Sequence, residues 1–221
     1  MTRQWVVVGG GGLGREIVQY VRADIARGTL QGIELAGVID DGGPSCEVCS
    51  TDPGIGWLGT TDTVEPRDGW AAVVAVGSVK ARKTVVERLL ARGWSFATYV
   101  HSSAIVAADA TLGTGTFVGP QSVINSGARV GEHCCINVFC SVGHGAVLGD
   151  FGVMSPYAAL NGNAKVGAKG FLGTRATVYP GVGLGESCIV DTHAHVKASV
   201  GDRKIVSVRG QYLVLDNRMG V

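Results

Sequence analysis

From Val100 onward an aliphatic side chain returns at every sixth residue: Val100, Val106, Leu112, Val118, Ile124, Val130, Ile136, Val142, Leu148, Met154, Leu160, Val166, Leu172, Val178, Leu184, Val190 and Val196. All seventeen positions are aliphatic or Met. Four residues after each stands a small or moderately small one, such as Ala104, Ala128, Cys134, Cys140, Ala146, Cys188 or Ala194. Gly often follows the aliphatic position directly, as in Leu112-Gly113 and Val130-Gly131. A period of six cannot be a helical stripe, which needs about 3.6, and the fixed phase of Gly separates it from plain strand alternation. The pattern that fits is a parallel β-helix of hexapeptides. Each hexapeptide supplies one short strand and one turn, and three close a triangular coil. The aliphatic residue points into the prism and the small one fits near the corner, so stacked coils bury a continuous core. This reading places a solenoid of about five and a half coils over residues 100–200, with no long insertion loop, and a tail over 201–221 that leaves the repeat.

Residues 1–99 read differently. Gln4–Val8 is a short apolar strand, followed by Gly9-Gly10-Gly11-Gly12-Leu13-Gly14 and a stretch with Ile17, Val21 and Ile25 at helical spacing. Ile33–Ile39 is a second strand ending in Asp40-Asp41, and Ala71–Val76 a third ending in Gly77-Ser78. Val79–Arg92 is a second helix. Strands alternating with helices predict a small α/β unit with a parallel sheet, half of a Rossmann-like fold. Gly9, Gly11 and Gly14 satisfy GxGxxG between strand and helix, where backbone N–H groups and a helix N-terminus suit a phosphate. Asp40 is placed to accept from a ribose hydroxyl. Half of a dinucleotide fold should hold one nucleotide; a merely tight strand-to-helix turn is the other reading.

Composition narrows the classes. A net charge of +1 gives no field that would draw nucleic acid or a membrane surface. No apolar run approaches the ~18 residues of a membrane span, and the N-terminus lacks the pattern of a signal peptide, so the expected location is the cytoplasm. There the six cysteines should be reduced. Cys46 and Cys49 form a lone CxxC without further ligands at metal spacing, so no metal site is expected.

The segments VVVGGGGLGRE, VIDD (Val38 to Asp41), VVAVGS (Val73 to Ser78), VHSSAIVAADATLG, INVFCSVGHGAVLGD and FLGTRATVYPGV follow one another in order over nearly the whole chain. On these the chain resembles the bacterial sugar O/N-acyltransferases of the sialic-acid O-acetyltransferase type. Within them it looks most like the branch that N-acetylates nucleotide-linked amino sugars. The resemblance implies a left-handed β-helix, a homotrimer and acetyl-CoA as donor along the solenoid. It also implies a sugar nucleotide on the N-terminal unit, at Gly9, Gly11, Gly12, Gly14, Asp40, Asp41, Gly77 and Ser78.

Acetyl transfer to an amine needs a base and donors for the developing oxyanion. Of the five histidines, His101, His133, His144, His193 and His195, His144 sits third in its hexapeptide and should point outward near a corner. On the family pattern it is the catalytic base. His101 and His133 read as surface residues or satisfied polar groups; His193 and His195 lie in the last coil, near a neighbouring subunit or CoA. One coil above His144 stands Gly162, which the resemblance makes the oxyanion-stabilising amide, and Asn137 matches a family position near the base; an ordinary turn Asn is the other reading of Asn137. Thr174 and Thr192, stacked above Pro156, are expected with Gly162 to line the CoA arm. Arg203, Lys204 and Arg209 are open to two readings, contacts to CoA phosphates or a solvated charge cluster. The chain departs from the family at Gly145, where an acidic residue commonly orients the histidine; Asp150 is the candidate substitute. Cys134, Cys140 and Cys188 occupy the small-residue phase and should be packed inward and inert. Three other functions stay open: O-acetylation of a sialic acid-like hydroxyl, zinc chemistry of the γ-carbonic-anhydrase kind, and non-catalytic nucleotide binding.

Overall fold

The structure of the protein, a computed structural model, describes residues 3–208. The chain opens with β1 (Arg3–Val8), α1 (Gly12–Ala26), β2 (Ile33–Ile39), α2 (Glu47–Thr51), β3 (Trp57–Gly59), β4 (Trp70–Val74) and α3 (Val79–Ala91). The four strands pair in parallel in the order β3-β2-β1-β4. Ile17, Val18 and Val21 of α1 pack on one side of the sheet against Val7, Val38 and Val73. Leu89 and Trp94 close the other side against Val6, Val8 and Ile39. The expected α/β unit is therefore present, with two additions: β3, of three residues, and α2, of five. Neither is long enough to show a hydrophobic period.

From Tyr99 the chain winds into the solenoid. Strands of two residues stack in three parallel sheets, each strand pairing with those 18 residues before and after it, as Val147 does with Arg129 and Lys165. Every aliphatic position of the repeat is the second residue of its strand and faces inward; with the small residues, Cys134, Cys140 and Cys188 among them, they fill the prism. The first face carries Tyr99, Phe117, Cys135, Val153, Phe171, Ile189 and Ile205 outward, the second Ser141 and its column, the third Val147 and its column.

Glycine after the aliphatic residue serves close approach between coils. A Cβ on Gly143 would lie 2.5 Å from the Gly162 nitrogen. The left-handed position comes two residues later and is mostly not glycine: His133 (φ 52°), Phe139 (57°), Tyr157 (63°) and Asn163 (57°) all occupy it. The solenoid also outruns the sequence period. Val200 pairs with Leu184 and Val206 with Val190, because one turn shortens to four residues between Val196 and Val200. The coil thus continues past residue 200, through Ile205–Val206.

Two buried polar groups tie the units together. Arg82 of α3 has no exposure and donates to five carbonyl oxygens: Val74, Val76, Gly115, His133 and Cys134. Asp24 of α1 is 1% exposed and accepts from Tyr99 Oη (3.0 Å), Ser102 N (3.0 Å) and Ser102 Oγ (2.5 Å). Burial alone would raise the Asp24 carboxyl. The bonds from Ser102 and Tyr99, with His101 nearby, outweigh it and hold the group below the ordinary carboxylate value. A depressed folded value means the unfolded chain binds the proton more readily. The contribution is therefore present above the unfolded value, about 3.9, and is lost as pH falls through the folded one. Asp24→Asn is expected to lose about 1–3 kcal/mol at pH 7. Urea midpoints of wild type and variant should converge in acid; a gap independent of pH would contradict the assignment.

Candidate active site

His144 stands at the corner between the second and third faces. The backbone there is pinned by neighbouring coils: Gly145 N donates to Ser126 O (2.9 Å) and Asn163 N to His144 O (2.8 Å). The imidazole itself is exposed and meets no hydrogen-bond partner among the described residues. It lies on the bare Cα of Gly162, where a Cβ would come within 2.4 Å of Nε2 and 2.6 Å of Cε1. Gly162 N–H likewise has no acceptor among the described residues. The pairing expected from the coil length is thus in place. Gly162→Ala should push the ring aside and lower turnover on the order of 10²-fold with little change in thermal stability; full activity would show that the ring position is not critical.

No carboxylate attends this imidazole. Asp150 lies at the next corner and accepts from Glu132 N (2.9 Å), so it is not the substitute for the missing acid. Its charge falls on His133 instead. The space that a side chain at Gly145 would enter holds Asn163, whose Oδ1 would be 2.5 Å from that Cβ. One coil below His144, Ser126 Oγ donates to Asp109 Oδ2 (2.7 Å). Asn163 and the Ser126–Asp109 pair escaped the sequence reading, although steps of 18 from Gly145 and His144 find Asn163 and Ser126.

Asn137, Thr174 and Thr192 share a different corner, between the first and second faces. Asn137 is half-buried, and its Oδ1 accepts from Val138 N (2.7 Å). Beside it runs an exposed ladder in which Phe139 stacks on Tyr157 at 4.9 Å and the Arg175 guanidinium covers the Tyr157 ring.

The glycine loop lies beyond the first face. Gly9 needs its freedom, with φ 107° and Ala75 O 2.7 Å from where a Cβ would be, and Gly14 lets α1 pack on Gly9 O. Gly11 has nothing within 4 Å and Gly12 only Glu47 Oε2 at 3.8 Å, so both face open space. Beside the loop is a pocket of about 220 Å³ walled by Gly9, Asp40, Asp41, Thr61, Val76 and Val85. Asp40 accepts from Gly10 N (2.6 Å) and Gly42 N (2.8 Å). Asp41 is engaged by Thr61 and Arg88. Gly77 is exposed. Ser78 caps α3 by accepting from Ala81 N (3.4 Å) and lines a larger groove of about 690 Å³ between α3 and the first face.

His101 is buried and bonded to Ser103 Oγ (2.8 Å). His133 is also buried, not a surface or satisfied group: it packs between Phe96 and Phe151, and its Nδ1 has no partner. Burial first, then Arg82, holds it below the ordinary histidine value, so it is neutral at pH 7. His193 and His195 are exposed in the last full coil, and Arg203 and Lys204 on the coil above it; Arg209 lies outside the described residues. Burial pushes the Cys134 and Cys140 thiols up to about 12. No group of three or more His, Cys, Asp or Glu side chains among the described residues is arranged to hold a metal ion, and no helix there is long and apolar enough to cross a membrane.

No protein-family model and no curated protein matches the chain. Solved structures do. The acetyltransferase domain of PglB from Neisseria gonorrhoeae FA1090 aligns over 94% of this chain and 97% of its own at 25% identity, with a TM-score of 0.82. PerB from Caulobacter crescentus, solved with CoA and GDP-perosamine, aligns over 93% and 94% at 26% identity, TM-score 0.79. WeeI from Acinetobacter baumannii AYE covers 94% and 97% at 25% identity, TM-score 0.81. The chain is similar over nearly its whole length to these hexapeptide-repeat sugar acetyltransferases. In this acyltransferase the parts just described do not meet within one chain. The α/β unit sits on the first face, whereas His144 occupies the corner opposite that face.

Proposed function

We propose that this acyltransferase moves the acetyl group of acetyl-CoA onto the amino group of a nucleotide-linked amino sugar, a 4-amino-4,6-dideoxy sugar carried on UDP, dTDP or GDP. The observation that carries this reading is the His144 corner: an exposed, unpartnered imidazole seated on a residue without a side chain, beside a free backbone N–H. His144 takes the proton as the amine nitrogen bonds the thioester carbonyl carbon. Gly162 N–H donates to the carbonyl oxygen as charge builds there, and the CoA thiolate leaves. Asn137 orients the acceptor, while Thr174 and Thr192 flank the pantetheine arm. On the N-terminal unit, Gly9 and Gly14 shape the loop and Gly11 and Gly12 leave room for the diphosphate. Asp40, Asp41, Gly77 and Ser78 border the nucleoside and sugar. PerB, crystallised with both CoA and GDP-perosamine, supports the same pairing of donor and acceptor.

A nucleotide pocket on the side away from its own His144 implies that one copy serves another. We assign a homotrimer in which the Asn137–Thr174 corner of one chain meets the His144 corner of the next, in the cytoplasm. The exposed Phe139–Tyr157 stack on the first of those corners supports an apolar contact there; Phe139 is 48% and Tyr157 47% exposed.

The test is thiol release from acetyl-CoA against UDP-, dTDP- and GDP-linked 4-amino-4,6-dideoxy sugars, with the mass in solution measured alongside. Turnover with one nucleotide clearly preferred, by a particle of three 22.8 kDa chains, is expected. No turnover with any amino sugar would end the N-acetyl reading and leave hydroxyl acceptors. An active monomer would end the shared site.

A further inference from the structure

The six cysteines divide sharply by exposure. Cys134, Cys135, Cys140 and Cys188 are buried, whereas Cys46 and Cys49 are half-exposed. Cys46 caps α2 and Cys49 lies within its first turn, which is closed by Ser50 N donating to Cys46 O at 3.0 Å. Residues three apart in a helical turn have Cα atoms about 5 Å apart, inside the range a disulfide spans. Both thiols are free and lie on the same short turn. Burial and the neighbouring Cys46, Asp40 and Asp52 push the Cys49 thiol up to about 11, which makes it the poorer first nucleophile and leaves the first attack to Cys46.

The pair is built into the glycine loop. Cys46 Sγ rests on the bare Cα of Gly10; a Cβ there would be 2.5 Å from it. Val48 N donates to Gly10 O (2.9 Å), and Gly10 N donates to Asp40 Oδ2 (2.6 Å). Trp57 Nε1 in turn donates to Asp40 O (3.0 Å). A movement of Cys46 is thus handed to the loop, to Asp40 and to an indole that can report it.

We propose that Cys46 and Cys49 form a modification site, exchanging with a small-molecule disulfide of the glutathione class to give an intramolecular disulfide that re-sets the glycine loop. The Cys46 thiolate attacks one reagent sulfur, forming a mixed disulfide and expelling the first thiol. Cys49 gives its proton to solvent and attacks the Cys46 sulfur, expelling the second. Two protein thiols are oxidised and one reagent disulfide is reduced to two thiols, with no other oxidant. The sulfurs close to about 2.05 Å, which draws Cys46 off Gly10. Weaker nucleotide binding follows only if the pocket is the nucleotide site of the proposed function.

The whole chain is equilibrated across glutathione redox buffers and followed by peptide mass, by tryptophan fluorescence without ligand, and by UDP and GDP binding. Expected are the loss of two hydrogens from the Cys46–Cys49 peptide, absent in Cys46→Ser and Cys49→Ser, and a fluorescence change absent in Trp57→Phe. Nucleoside diphosphate affinity should fall on the order of tenfold and return with dithiothreitol. The proposal is overturned if only a glutathione adduct forms, if no disulfide forms, or if the disulfide leaves Trp57 fluorescence unchanged. Failure of the reduced chain to bind UDP or GDP would count against the nucleotide reading, while mass and fluorescence still decide the switch.

Discussion

His144→Ala should lower kcat for acetyl transfer on the order of 10²–10⁴-fold, the range for loss of a general base, while the fold keeps its stability. The two halves of that expectation have separate causes. The side chain is exposed, hydrogen-bonds nothing among the described residues and rests on a glycine, so its removal leaves no cavity and no orphaned partner. The chemistry depends on it because no carboxylate bonds to the imidazole: Asp150 is bonded to Glu132 N, Asp109 to Ser126 Oγ, and the place beside Gly145 is taken by the neutral Asn163. A loss confined to kcat, with KM for acetyl-CoA little moved, is the signature of a group acting in the transition state rather than in binding. Undiminished turnover would place the base elsewhere; a parallel rise in KM would make His144 a contact for the donor.

The prism core was legible because its signal repeats: a run of aliphatic residues at fixed phase leaves few folds to choose from, and the coil length then set Gly162 over His144. What depended on a single contact was not legible. Asp150 reads as a free acid near His144 in sequence, but the side chain turns to a backbone amide of the coil below. Asp40 and Asp41 read as ligand acceptors, yet each also organises its own loop. The docking of the α/β unit did leave a trace. The outward residues Tyr99, Phe117, Cys135 and Val153 recur every 18 positions and are apolar and buried, where the same column on the other faces holds Arg129, Ser141 or Lys165. A second period, that of the whole coil, marks the covered face. The shortened turn after Val196 hid the last strands because a loss of two residues breaks the phase without breaking the pairing.

The covered face also sets where the largest loss of stability should fall. Arg82 is a buried cation with no carboxylate partner; burial pulls its pKa down from the ordinary arginine value, yet a guanidinium stays protonated in proteins. Its charge is balanced by carbonyl dipoles from both units, two from the end of the α/β sheet and three from the lower coils. Arg82→Met keeps much of the volume but takes the guanidinium from those carbonyls; Cys134 O keeps its bond from Phe117 N (3.0 Å), while Gly115 O and His133 O lose the side-chain donor in a buried site. The expected cost is about 3–5 kcal/mol, read from urea unfolding. Arg82→Lys should recover only part of it, since an ammonium has three donors and no planar fork. The form of the transition matters as much as its midpoint. With Arg82 the α/β unit and the solenoid should unfold together; without it, the tryptophans, all in residues 1–94, should report an earlier transition than the circular dichroism of the coils. A variant as stable as wild type, with coincident transitions, would mean that the apolar layer of Trp5, Tyr99, Phe117 and Val153 joins the units unaided. In that case the five bonds to Arg82 only offset the cost of burying its charge.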